Sequence, residues 1–234
     1  MALPQVTTPE FFTELPSTKE QIAFRPFLVK EEKMLLMAQQ GKDQKEILNV
    51  VFNILESCIK TPLEVRKLAP FDLEWLFLQL RAKSVGEVLE LKLKHMKEEC
   101  GGTTDVTINI PDIKVHFPDK KDDVIMMDSS IGIKMRYPSV DMIDPNKFDN
   151  PNVQDIFELL DKCIVNVFDN DQVYNEFTSE ELTTFLEGLD QNQFQKIVNF
   201  FNNTPKIKHE VKYKCAKCGE EVKYNLEGLL DFFS

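Results

Sequence analysis

Two cysteines near the C-terminus of this 234-residue chain, Cys215 and Cys218 in CAKCG, are the residues best spaced for chemistry. Two thiolates on a tight turn can grip one soft metal ion, and Gly219 follows directly to let the chain turn. The flanks KYK and EEVKY alternate in polarity, as the short strands of a zinc-ribbon knuckle do. A structural zinc needs four ligands, and the chain offers no second C-x-x-C. Cys100, followed by Gly101 as Cys218 is by Gly219, is the third thiol the pattern offers, and His95 or His209 could supply nitrogen. The expectation is one structural zinc on Cys215, Cys218, Cys100 and a histidine or water. The competing reading is a knuckle that has lost its metal and is held by packing. A redox role fits less well, because a catalytic C-x-x-C usually opens a helix and this one lies between strands.

Little else asks for chemistry. Cys58 and Cys163 lie on apolar helical stripes and read as small core residues. Three scattered histidines allow no nucleophile–base constellation, and no glycine loop has the spacing that cradles phosphate. No catalytic residue and no organic cofactor are expected, so the chain reads as a non-enzyme.

The elements that must position these residues carry a likeness between the two halves of the chain. ILESCIK at Ile54–Lys60 reads against LLDKCIV at Leu159–Val165, pairing Cys58 with Cys163. IAFRPF at Ile22–Phe27 reads against IKMRYP at Ile133–Pro138, pairing Arg25 with Arg136. Cys100-Gly101 matches Cys218-Gly219, and Val106 matches Val222 if two residues are inserted between; the partner of Cys215 is then Lys97. The fold class expected is α+β, mostly helical, with an internal duplication. Each repeat would hold a short strand, a helical bundle and a closing zinc-ribbon-like hairpin. The bounds are an extended proline-bearing arm over 1–21, repeats over 22–117 and 131–234, and a linker over 118–130.

Within that frame the periodicity predicts helices over 29–40, 47–58, 61–70, 71–84, 151–168, from 178 onward and over 191–202. Pro62 and Pro151 sit as first-turn residues, and Thr178 with Glu181 forms a capping box. Leu89, Leu91 and Leu93 alternate with charged residues and predict a strand, returned by 106–117. Phe11 and Phe12 in the arm, and Phe232 and Phe233 in the apolar tail LEGLLDFF, are candidate partner-binding anchors.

Composition limits the partners. The balance of 39 acidic against 28 basic residues, a net charge of −11, opposes sequence-independent nucleic-acid binding. No apolar run is long enough to span a bilayer and the N-terminus carries no export signal, so a soluble protein without membrane contact is expected. One alternative stays open: a zinc-ribbon regulator contacting nucleic acid through Lys206, Lys208, Lys212, Lys214, Lys217 and Lys223 around the knuckle.

IAFRPFLVKEEKMLLMA at Ile22–Ala38, with its F-R-P-F-x-x-K-E-E-K core, and the terminal CAKCGEEVKYNLEGLLDFF resemble one known family. The chain is similar to the baseplate hub and hub-assembly proteins of T-even-like contractile-tailed bacteriophages, over nearly all of its length after residue 20. That resemblance implies a late viral protein made in the host cytoplasm and needed to assemble the central hub of the tail baseplate. It would act as a virion component or a transient chaperone, on other hub or tail proteins including the tape-measure protein.

Overall fold

The computed structural model describes residues 7–41, 43–97, 99–118, 123–143 and 153–232. Its packing divides the chain into two units, Met1–His116 with Lys206–Ser234, and Phe117–Pro205. The first unit opens with Phe11–Glu14 (β1) and Gln21–Phe24 (β2), paired antiparallel. From Phe11 onward the stretch read as an arm is therefore folded. Leu15 is buried at the turn, Ser17 donates its amide to the buried Asp72 carboxylate, and Trp75 donates to the Thr13 hydroxyl.

Val29–Gly41 (α1) and Gln44–Cys58 (α2) follow. The Asp43 carboxylate caps α2, and Ile47, Val51, Ile54, Leu55 and Cys58 fill its buried face. Each such side chain removed from water contributes about 1.5–3 kcal/mol. No helix forms over 61–70; Val65–Lys67 makes only a 3-10 turn, too short a run between two prolines to repay helix nucleation. Pro70–Ser84 (α3) starts on its proline and is buried over most of its circumference. It packs against α2 on one side and the later strands on the other. Val88–Lys94 (β3) and Thr103–Asn109 (β4) form a hairpin with Leu89, Leu91 and Leu93 buried. The expected return over 106–117 is broken at Pro111 by a 3-10 turn, after which Lys114–His116 (β5) resumes.

The second unit holds Val124–Met126 (β6), Gly132–Met135 (β7), Val153–Cys163 (α4), Ile164–Phe168 (β8), Val173–Tyr174 (β9), Ser179–Glu187 (α5) and Gln191–Asn202 (α6). Its strands form one antiparallel sheet in the order β6-β7-β8-β9. Ile133, Met135, Leu160, Cys163, Ile164, Leu182, Leu186 and Ile197 make its core. The helix expected through Phe168 stops at Cys163, because IVNVF is β-branched and aromatic and joins the sheet instead. Full capping boxes at Thr178/Glu181 and Asp190/Gln193 fix the starts of α5 and α6.

The chain then re-enters the first unit. Lys206–Lys214 (β10) pairs with β5 and with Glu221–Glu227 (β11). A 3-10 turn over Leu229–Phe232 buries Phe232, 3% exposed, in the cluster that also holds Leu78, Leu91, Ile108, Val211 and Leu226.

A mostly helical fold is not what these residues make. Among the described residues 41% are helical and 27% are strand, in four small sheets, and no helical-bundle repeat organises the chain. The excess of strand comes from β-branched stretches beside helices and from the two hairpins. What does recur is local. The Arg25 amide donates to the Cys58 carbonyl at 3.0 Å, and the Arg136 amide to the Cys163 carbonyl at 2.8 Å. Between the hairpins, the turn glycines and the second strands keep one offset (219 − 101, 221 − 103 and 227 − 109 all equal 118). The match therefore needs no two-residue insertion, and Val222 corresponds to Thr104, not to Val106.

Candidate metal centre

Alternation along β3 puts Leu93 into the core and brings His95, the first residue past Lys94, to the same buried side. The His95 amide donates to the Gly102 carbonyl, closing the base of the β3–β4 turn that carries Cys100. Across from it, the β10–β11 turn carries Cys215 and Cys218. The Cys215 amide donates to the Glu220 carbonyl and the Gly219 amide to the Cys215 carbonyl. Gly219, at φ +73°, takes a left-handed conformation that a side chain would strain.

The two turns are clasped together. Lys97 pairs with Glu220 at 2.8 Å, Lys217 donates to the Cys100 carbonyl, and the Ala216 amide donates to the Thr104 hydroxyl. Gly102 makes this approach possible: a Cβ there would sit 2.6 Å from Lys217 Cβ and 3.2 and 3.3 Å from the Cys215 and Cys100 sulfurs.

As a result His95, Cys100, Cys215 and Cys218 converge, with ligand atoms all within 4.8 Å of one another. The Cys100 and Cys215 sulfurs are 3.7 Å apart, and Cys218 Sγ lies 3.4 Å from His95 Nδ1. Two sulfurs bound tetrahedrally at about 2.3 Å stand about 3.8 Å apart, so the thiol pair has the spacing of two zinc ligands. The electrostatics prepare one thiolate. The Cys218 amide, hydrogen-bonded to the Cys215 sulfur, holds that thiol down at about 6, helped by the Lys217 amide and opposed by burial. Cys218 runs the other way: the Glu220 amide pulls its thiol down, but burial and the neighbouring thiols leave it raised. Three thiols and an imidazole form a complete soft donor set with no position left open.

Of the residues singled out by sequence, His95, Cys100, Cys215 and Cys218 come together, and His209, opposite Leu226 in mid-strand, stays outside the cluster. Lys97, standing where a fourth cysteine would fall, is engaged by Glu220. Cys58 and Cys163 are fully buried, and burial raises both thiols to about 11. Phe11 is half-buried beside Phe24, Phe12 is 63% exposed, Phe232 is core, and Phe233 lies outside the described residues. Gly102 is not among the residues that spacing singles out; its signal is the doubled glycine after Cys100, one more than a turn needs. Of the knuckle lysines, Lys206 and Lys208 share Glu227 and Lys212 pairs with Glu210, so neighbouring carboxylates offset part of the basic run.

Fold and centre define a two-unit protein whose chemistry-bearing side chains are locked into a donor cluster between two hairpin turns. A family model described as T4 bacteriophage base plate protein matches residues 8–234, and the chain belongs to that family. It is a phage baseplate protein, and its partners are other baseplate or tail proteins. No curated protein and no solved structure matches the chain. Among the described residues, no helix is long and apolar enough to cross a membrane.

Proposed function

We propose that this protein is a non-enzymatic assembly factor or structural component of the central hub of the tail baseplate. It is made in the host cytoplasm and acts by protein contacts, the tape-measure protein among them. The observation that carries this reading is the reach of the family match over both units, residues 8–234. A closed set of three thiols and one imidazole supports it, since a catalytic zinc keeps one position open and a structural zinc does not. His95, Cys100, Cys215 and Cys218 would hold that one zinc, whose contribution is to favour the folded over the unfolded chain.

The tagged full-length chain, purified from infected cells, should bring down a small, fixed set of hub proteins with the tape-measure protein. Recovery of no tail protein would end the hub reading. Separately, protein purified without chelator should carry about one zinc per chain. Cys215→Ser and His95→Ala should lose it and melt earlier, while His209→Ala and Cys58→Ser retain it. Wild type that carries no zinc as purified, with Cys215→Ser melting no earlier than it, would leave the clasp as packing alone.

A further inference from the structure

The charge of this chain sits almost entirely in one unit. Residues 117–205 hold 17 acidic and 7 basic side chains, a net −10, which leaves 22 acidic against 21 basic in the other unit. Within that acidic unit lies a cleft of about 390 Å³ between the β8–β9 turn and α5. Val167, Phe177, Leu182 and Phe185 give it an apolar floor. Its rim is Asp169, Glu176 and Glu181, and no lysine or arginine lines it. Two of the three rim carboxylates are held in place. Asp169 accepts the amides of Asp171 and Gln172 and the Tyr174 hydroxyl, and Glu181 accepts the amide and hydroxyl of Thr178; these donors hold both carboxyls below their ordinary range. Glu176 is exposed and has no ion-pair partner among the described residues.

An apolar floor calls for a large apolar side chain, and three carboxylates around it call for cations on either side of that side chain. The same charge repels nucleic acid and anionic membrane. We propose that this cleft docks a segment of another baseplate or tail protein that presents one large apolar residue flanked by lysine or arginine. The proposal rests on the reading that the chain works through protein contacts and adds the place and the chemistry of one of them. Steering by a unit of charge −10 would speed the encounter and make it sensitive to salt.

Three fluorescein-labelled peptides test it against the full chain by anisotropy: Ser-Gly-Lys-Lys-Trp-Lys-Lys-Gly-Ser, the same with glutamate for lysine, and the same with serine for tryptophan. The lysine–tryptophan peptide should bind at least about tenfold tighter than either control. It should weaken several-fold as salt rises from about 50 to about 300 mM. Glu176→Lys, a change on an exposed side chain, should weaken it several-fold more. A benzophenone residue in place of the tryptophan should crosslink wild-type protein within residues 167–185. Equal binding of all three peptides, or crosslinks confined to residues outside 167–185, would overturn the proposal. The hub pull-down separates the two readings. Undiminished hub capture by folded Glu176→Lys and Phe185→Ala variants sinks the cleft and leaves the hub role standing. Crosslinking in the cleft by a wild-type chain that captures other baseplate or tail proteins but none of the hub does the reverse.

Discussion

Arg25 ties three elements with one side chain. Its guanidinium donates to Glu31 at 2.9 Å, to the Ser57 hydroxyl and carbonyl at the end of α2, and to the Pro26 carbonyl. Glu31 in turn accepts the Leu28 amide ahead of α1, satisfying a free helix-start donor. Burial alone would raise the Glu31 carboxyl, but Arg25, the Leu28 amide and Ser57 together hold it down at about 2. A carboxylate whose pKa is depressed on folding contributes stability above its unfolded value, near 4.5, and loses it as pH falls toward 2. Glu31→Gln should therefore destabilise the protein by about 3 kcal/mol near neutral pH, the scale of breaking a buried pair. The gap between variant and wild type should close below about pH 3 in urea melts. A gap that stays constant with pH would mean that the residue contributes shape, not charge.

Between elements, a close fit in the second unit is made at Gly132 on β7, whose register partner on β8 is Phe168. A Cβ at Gly132 would lie 2.2 Å from the Phe168 ring, so the ring covers the glycine and the strands close over it. Gly132→Ala should cost about 1–3 kcal/mol in thermal melts, as overpacking does. In a Phe168→Ala background the same change should cost almost nothing. Equal costs in both backgrounds would place the penalty in the backbone. Elements of this kind were legible where a local rule decides them. The Thr178/Glu181 capping box, the α6 stripe and the Leu89–Leu91–Leu93 alternation all appear where their patterns put them. Reading failed where two local rules compete. Cys163 to Phe168 continues a helical stripe, yet its β-branched residues pair in a sheet that only tertiary contact supplies. The centre was half legible: cysteine spacing and the matching glycines pointed to three thiols. The choice of His95 over His209 depends on which strand ends beside the knuckle, and no spacing records that.

At the scale of the whole molecule, the two units hold hydrophobic clusters that share no residue, and two unfolding events are expected. The single tryptophan, Trp75, packs on the core of the first unit, the one the clasp belongs to. Chelator should accordingly lower the melting midpoint seen by tryptophan fluorescence by several degrees, while a calorimetric transition belonging to the second unit stays in place. One transition that moves as a whole would mean that the two units unfold together.

The pairing of Lys206 with His116 also dictates an order of manufacture. On a ribosome, β5 emerges ninety residues before the strand that must lie beside it, and every segment of the second unit comes out in between. The later unit in sequence can thus be finished first. The earlier one waits, with the apolar faces of β3 and α3 uncovered, until the last hairpin is made. That interval is when nascent chains are open to misassociation; a slow-translating stretch within residues 117–205 would lengthen it, and a chaperone covering those faces would have most effect there.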